Sequence, residues 1–236
     1  MGPLGAGLQS WGDRMRDDVQ MELRVAEDLG RIRDHWWWRP GWREGRRMHT
    51  FHLTMEQAPA VREFASRARE VLGGFASLDV VPDRGLHLTM TGIGFEDEVT
   101  QQQLADVGKR VFDHWERLAA QDPAPTIRFT SVLVAHESVM LIAEPAPWLE
   151  ELARIQRAAV DEVIGEQDWG RFWPHLSLSY VNADDDPGPI AHALAPLAHA
   201  SPAAIEAAPT LTLMRLGRDE HEYRWDVLRQ EGVGRR

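Results

Sequence analysis

Cysteine is absent from the 236 residues of the chain. Without thiols there is no disulfide framework, no cysteine-ligated zinc site and no cysteine nucleophile, which is typical of a reducing compartment and predicts a cytoplasmic location. Long apolar runs are lacking as well, because no stretch approaches the roughly 18 residues that a membrane-spanning helix needs. Residues 1–12 also lack the pattern of a signal peptide, so we expect no contact with a membrane.

Positive charge is scarce, because 26 Lys and Arg residues stand against 37 Asp and Glu residues, which gives a net charge of −11. Affinity for long nucleic acids depends on clustered cations, so a chain this acidic is not expected to bind RNA or DNA by charge alone. One segment departs from this balance, since residues 31–47 contain six arginines against Asp34 and Glu44. We expect one or two of these arginines to meet an anionic ligand.

Hydrophobic periodicity predicts alternating helices and strands. The period of 3.6 residues predicts amphipathic helices over 11–33, 61–72, 100–118, 148–164 and 190–199. Alternation predicts strands over 49–55, 78–81, 86–91, 127–135, 139–143, 175–181, 210–216 and 222–228. Turn residues predict that 78–81 pairs with 86–91, and 127–135 with 139–143, as hairpins. Short turns join antiparallel neighbours, so the order predicts an α+β fold of antiparallel sheets covered by helices.

A short motif, His, any residue, then Ser or Thr, occurs five times, where roughly 0.7 copies are expected by chance. The copies begin at His52, His87, His136, His175 and His199. We interpret those at His136 and His199 as incidental, because one falls at a predicted hairpin tip and the other in a Pro-flanked loop. The copies at His87 and His175 lie in alternating segments, which place each imidazole and its hydroxyl on the polar face of a strand.

Two imidazoles and the hydroxyls of Thr89 and Ser177 are chemically sufficient to hydrolyse a phosphodiester. One imidazole deprotonates the attacking oxygen and the other protonates the leaving oxygen, a task that suits histidine near neutral pH. Hydroxyl donors stabilise the charge on the non-bridging oxygens. The reaction needs neither metal nor cofactor, and the sequence contains no zinc signature, so we predict none.

The paired motifs, 88 residues apart, resemble the 2H phosphoesterase superfamily, which includes bacterial 2′-5′ RNA ligases and 2′,3′-cyclic phosphodiesterases. The Trp-rich segment 35–42 followed by the strand 49–55 is similar to an actinobacterial branch. The resemblance implies a two-lobed, pseudo-symmetric fold with the groove between the lobes, and it places the catalytic groups at His87, Thr89, His175 and Ser177. The resemblance covers the predicted catalytic domain (35–228), which we expect to be flanked by an amphipathic helical extension (1–34) and a flexible tail (229–236).

Further residues are candidates for substrate contact. His52 and Thr54 share the polar face of the strand 49–55, so they line a groove or are ordinary strand residues. The remaining candidates come from the Trp-rich basic segment and from the surroundings of the second motif; they are Trp42, Arg43, Arg171, Trp173 and Tyr180. Aromatic faces stack on bases and arginines bind phosphates, although packing and solvation are the alternative roles.

The sequence therefore predicts a metal-independent phosphodiesterase acting on a 2′,3′-cyclic phosphate or a 2′-5′ phosphodiester of a small nucleotide or an RNA terminus. Two alternatives stay open. One is a non-catalytic module that binds nucleotides or RNA ends, and the other is a 2H enzyme for a specialised cyclic nucleotide. The sequence predicts no obligatory protein partner, and it determines neither the oligomeric state nor which histidine is the acid.

Overall fold

The computed structural model describes residues 20–27, 29–55 and 57–233. Ten strands and four α-helices follow one another within these ranges. They are β1 (Glu22–Val25), β2 (Met48–Thr54), α1 (Pro59–Leu72), β3 (Leu78–Val80), β4 (His87–Phe95), α2 (Gln101–Ala119), β5 (Ile127–Val134), β6 (Ser138–Ala143), α3 (Pro147–Val163), β7 (His175–Val181), α4 (Pro187–His199), β8 (Ile205–Ala207), β9 (Thr210–Gly217) and β10 (Arg224–Gly232).

The strands form one sheet in the order β1-β5-β6-β7-β4-β2-β9-β10, with β3 added beside β7 and β8 beside β5. Among these strands only the pair of β1 and β5 is parallel. At the centre, β4 and β7 are paired only through Leu88 and Leu176. The sheet therefore consists of two halves that meet at this pair, and the predicted α+β architecture of two antiparallel lobes is confirmed.

Two helices cover each half of the sheet. Helix α2 begins with a capping box, in which the Thr100 hydroxyl accepts a hydrogen bond from the Gln103 amide. Its apolar face then packs on the half that contains β2 and β10, since Phe112 contacts Phe51 and the Trp115 indole donates to the Glu231 carbonyl. Helix α3 packs on α2, whereas α1 and α4 pack together on the other half. No helix in the described ranges has the length and apolar character to cross a membrane.

The strands at the centre of the sheet separate apolar from polar side chains. Phe51 and Leu53 of β2 and Leu88 of β4 are fully buried under the helices. The residues between them point to the opposite face, because successive side chains of a strand alternate. That opposite face of β2, β4 and β7 is the floor of the groove described below.

Three predictions from the sequence are corrected. The sequence predicts a helix over 11–33, but within the described part of this segment Glu22–Val25 form a strand that pairs with the edge of β5. Pairing with the sheet outweighs the loose helical period of the sequence. Residues 11–19 and residue 28 lie outside the described residues. The segment 78–81 does not pair with 86–91, since β3 pairs with β7. The predicted tail at 229–236 is strand β10 as far as Gly232, and 234–236 lie outside the described residues.

Candidate active site

The two motifs come together where the halves of the sheet meet. His87 and His175 are the first residues of β4 and β7. The strands are antiparallel and Leu88 pairs with Leu176, so one step along this register sets His87 opposite Ser177 and Thr89 opposite His175. All four side chains line one groove with a volume of about 480 Å³.

Both imidazoles are oriented by the same type of hydrogen bond. Nδ1 of His87 lies 2.7 Å from the carbonyl oxygen of Gly85, and Nδ1 of His175 lies 2.8 Å from that of Trp173. A carbonyl oxygen can only accept, so Nδ1 carries the hydrogen in each ring. In the neutral form, Nε2 of each ring therefore keeps its lone pair.

Burial disfavours the charged form of both histidines. Burial is the main cause that lowers the pKa of His87 to about 4; the hydrogen bond to Gly85 opposes this effect and the nearby His175 adds to it. Burial also lowers the pKa of His175, although its hydrogen bond to Trp173 opposes the effect. His87 is 6% exposed, whereas His175 is only partly buried at the groove surface. Without a bound anion, both rings are therefore neutral at pH 7.

A third histidine, His52, lies beneath His87. The two rings are stacked, and the ring of Trp225 lies nearly perpendicular to both. Strand β2 pairs His52 with Thr89, which explains why its ring reaches the groove. The ring is 1% exposed, its Nδ1 has no hydrogen-bond partner among the described residues, and burial holds its pKa well below the ordinary value.

The structure separates the other residues that the sequence predicts to contact substrate. Trp42, Trp173 and Tyr180 line the groove with His52. Thr54 does not line it, because its hydroxyl is buried 3.1 Å from that of Thr212.

The two predicted arginines also lie elsewhere. Arg43 is exposed and pairs with Asp97 at 3.4 Å. Arg171 lines a neighbouring cavity. From the basic segment, Arg39 reaches the groove, whereas Arg46 and Arg47 form ion pairs outside it.

One wall of the groove was missed by sequence reasoning. His35 places Nε2 2.9 Å from the Tyr223 hydroxyl and Nδ1 3.2 Å from a Glu137 carboxylate oxygen, and its ring stacks on Tyr180. Arg39 pairs with the same carboxylate. Burial is the main cause that lowers the pKa of His35 to about 4, so the neutral ring donates from Nδ1 and accepts from Tyr223.

The sequence did contain one signal for this wall. The motif copy at His136, interpreted as incidental, lies at the turn between β5 and β6, and residues 136–138 line the groove. Ser138 pairs with Tyr180 on β7, and this pairing positions the turn at the groove. Within the described ranges, no group of three or more His, Asp or Glu side chains is arranged to hold a metal ion.

Two His-x-Thr/Ser motifs that meet in one groove of a two-lobed antiparallel sheet are the arrangement of the 2H phosphoesterases, and the chain falls into this class. The family model described as the 2′-5′ RNA ligase superfamily matches residues 57–220, and the chain belongs to that family. Both motifs lie inside the matched residues. His35, His52 and Tyr223 lie outside them, so part of the groove wall comes from flanking sequence.

Solved structures share the fold. TT0787 of Thermus thermophilus is 19% identical, with a TM-score of 0.57 over 79% of this chain and 97% of its own. E. coli LigT in apo form is 15% identical, with a TM-score of 0.51 over 79% of this chain and 97% of its own. E. coli LigT complexed with 3′-AMP is 16% identical, with a TM-score of 0.54 over 80% of this chain and 99% of its own. No curated protein matches the chain in a sequence comparison.

Proposed function

We propose that the protein is a metal-independent phosphodiesterase that hydrolyses a 2′,3′-cyclic phosphate or a 2′-5′ phosphodiester on an RNA end or a small nucleotide. The observation that carries the proposal is the matched pair of imidazoles in one groove. Each donates Nδ1–H to the carbonyl two residues earlier, which leaves both Nε2 atoms for proton transfer. General acid–base catalysis needs two such groups within reach of one phosphate.

His87 is proposed as the general base, because its deep burial keeps it neutral. Its Nε2 takes a proton from water, and the water oxygen bonds to phosphorus. The bond from phosphorus to one ribose oxygen breaks, and protonated His175 gives that oxygen its proton. His175 is the more exposed ring, and an anionic phosphate beside it raises its pKa and favours the protonated form.

Thr89 and Ser177 are proposed to stabilise the phosphoryl oxygens. Each lies two residues after a catalytic histidine on the same strand face, and the register sets each opposite the other histidine. Hydroxyl donors that are already in place lower the energy of the transition state without reorganisation.

Aromatic side chains support a nucleotide as the substrate. Trp42, Trp173 and Tyr180 line the same groove as the histidines, and aromatic faces stack on unpaired bases. One of the solved structures with the same fold, that of E. coli LigT, is a complex with 3′-AMP. An adenosine nucleotide is therefore a reasonable first substrate.

The test is incubation of the purified chain, in EDTA, with adenosine 2′,3′-cyclic phosphate and with a 2′-5′ linked dinucleotide. We expect turnover that the His87→Ala, His175→Ala double variant loses, with each single variant reduced by about 10² to 10⁴. His192→Gln, which removes an exposed histidine of α4, is the matched control. Absence of turnover together with binding would favour the binding module or a specialised cyclic nucleotide, and dependence on added metal would contradict the mechanism.

A further inference from the structure

The groove continues past the histidines along β6. Ser138 and Met140 of this strand line the groove, and Met140 pairs with Ser177. Ile142, two residues further on, points to the same face and pairs with His175. It lines a second cavity of about 610 Å³. Trp173 lines both spaces, so the second cavity adjoins the groove at the His175 end.

Three arginines face this second cavity. Arg154 and Arg157 come from α3, and Arg171 comes from the segment before β7. None of them forms an ion pair with any residue that the structure describes. By contrast, Arg39, which lines the groove, is paired with the carboxylate of Glu137.

Two carboxylates, Glu150 and Asp161, line the same cavity. Asp161 is already engaged, since one of its oxygens accepts from the Trp169 indole at 2.9 Å and from the Gln167 amide at 3.0 Å. The formal balance of the lining remains positive, with three arginines against two carboxylates.

Arg157 is held by aromatic rings. Its guanidinium lies 5.5 Å from the Trp169 ring centroid and 6.0 Å from that of Phe172, and its buried Nε has no hydrogen-bond partner among the described residues. A guanidinium stacked in this way keeps its donors for an incoming anion, and its planar group matches phosphate oxygens.

We propose that this cavity binds the nucleotide on the 5′ side of the reacting ribose, so that the substrate is the end of an oligoribonucleotide. The proposal rests on the function proposed above. The arginines would hold the phosphodiester that joins the last two nucleotides. The Trp173 ring, 47% exposed between the two spaces, would stack on a base.

The test compares kcat/KM for adenosine 2′,3′-cyclic phosphate with kcat/KM for an adenosine tetranucleotide that ends in a 2′,3′-cyclic phosphate. We expect the tetranucleotide to be favoured about tenfold or more. The Arg154→Gln, Arg171→Gln double variant changes two exposed side chains, and it should bring this ratio close to one. Arg110→Ala, which removes an exposed ion pair with Glu162, should leave both substrates unaffected.

Salt gives an independent readout. For single-stranded substrates the logarithm of affinity falls with the logarithm of salt concentration by about 0.7 per neutralised phosphate. The slope should therefore be steeper for the tetranucleotide than for the mononucleotide, and the double variant should remove the difference.

The outcomes separate the two proposals. Equal kcat/KM values for the two substrates in the unaltered chain would overturn this inference and leave the phosphodiesterase proposal standing. If neither of these substrates nor the 2′-5′ linked dinucleotide is turned over, the phosphodiesterase proposal fails. Binding of a 3′-phosphorylated tetranucleotide, measured by tryptophan fluorescence, then tests whether the second cavity binds the oligonucleotide. Loss of binding in the double variant supports this role of the cavity, and unchanged binding overturns it.

Discussion

The imidazole rings of His52 and His87 stack with their centroids 4.5 Å apart and their planes inclined by 8°. Burial is the main cause that lowers the pKa of each ring, and each covers one face of the other. A charge on His87 also lowers the pKa of His52, so the pair resists protonation. We therefore expect His52 to be a positioning residue that keeps His87 neutral, the state in which the proposed general base accepts a proton.

Replacing His52 by alanine should admit water beside His87 and raise the pKa of His87 by about one unit. The acidic limb of the kcat/KM profile against pH should move upward by the same amount. His52→Phe keeps an aromatic ring on His87 and should retain the acidic limb of the unaltered chain. Thermal unfolding shows whether both variants are folded, and an unmoved limb in the alanine variant would show that the stack does not set the pKa.

The assignment of base and acid predicts an acidic optimum for the free enzyme. His87 must be neutral, which requires a pH above about 4, and His175 must be protonated, which requires a pH below its own lowered pKa. A plot of kcat/KM against pH should therefore be bell-shaped, with its maximum between pH 4 and pH 6.5. The kcat profile should lie at higher pH, because the bound phosphate favours the charged imidazoles. A kcat/KM that rises continuously to pH 8 would contradict the assignment.

A substrate with a good leaving group distinguishes the two histidines. Nitrophenolate leaves without a proton, so hydrolysis of bis(p-nitrophenyl) phosphate needs the base and not the acid. His175→Ala should retain most of its activity on this substrate, whereas His87→Ala should lose it by about 10² or more. The reverse pattern would exchange the two roles, and equal losses in both variants would indicate that neither acts as the leaving-group acid.

The sequence allowed the centre of the site to be predicted because alternation decides which face a side chain occupies. His87, Thr89, His175 and Ser177 line one groove, as the two motifs predict. Pairing between strands that lie 88 residues apart depends on tertiary packing, which periodicity does not report. The sequence therefore could not predict that β4 and β7 meet only at Leu88 and Leu176, or that β3 pairs with β7 and not with β4. For the same reason the sequence could not show that Arg171 faces a second cavity.

The hydroxyl of Thr89 is tested by an isosteric change. Thr89 is exposed in the groove, so Thr89→Val should leave stability nearly unchanged and lower kcat by about tenfold or more through the lost donor. Thr91→Val is a matched control on the same strand. Its hydroxyl is buried without a partner among the described residues, outside the groove lining, and its removal should leave kcat unchanged. Equal losses in both variants would point to a disturbance of β4.

Stability should fall as the pH is lowered from 6.5 towards 4, before the carboxylates titrate. Buried His87 has a pKa of about 4 in the folded chain and an ordinary value of 6.5 when unfolded. Between these values the unfolded state binds more protons, so the free energy of unfolding decreases as the pH falls. For His87 alone the loss is on the order of 3 kcal/mol by pH 4. The pKa values of Asp83, Asp97 and Asp219 are lowered from 3.8 in the folded chain. The stability that these carboxylates contribute is therefore lost only below about pH 3.8.

Urea unfolding at pH 7.5, 5.5 and 4.5 measures this dependence. His87→Asn keeps a side-chain donor for the Gly85 carbonyl and removes the titrating ring, so its free energy of unfolding should decline less between pH 6.5 and 4. His192→Gln removes an exposed histidine and should follow the unaltered chain. Inorganic phosphate should reduce the decline in the unaltered chain, because an anion in the groove stabilises the protonated imidazoles of the folded state. If His87→Asn and the unaltered chain lose stability in parallel, then the burial of His87 does not control the acid sensitivity of the fold.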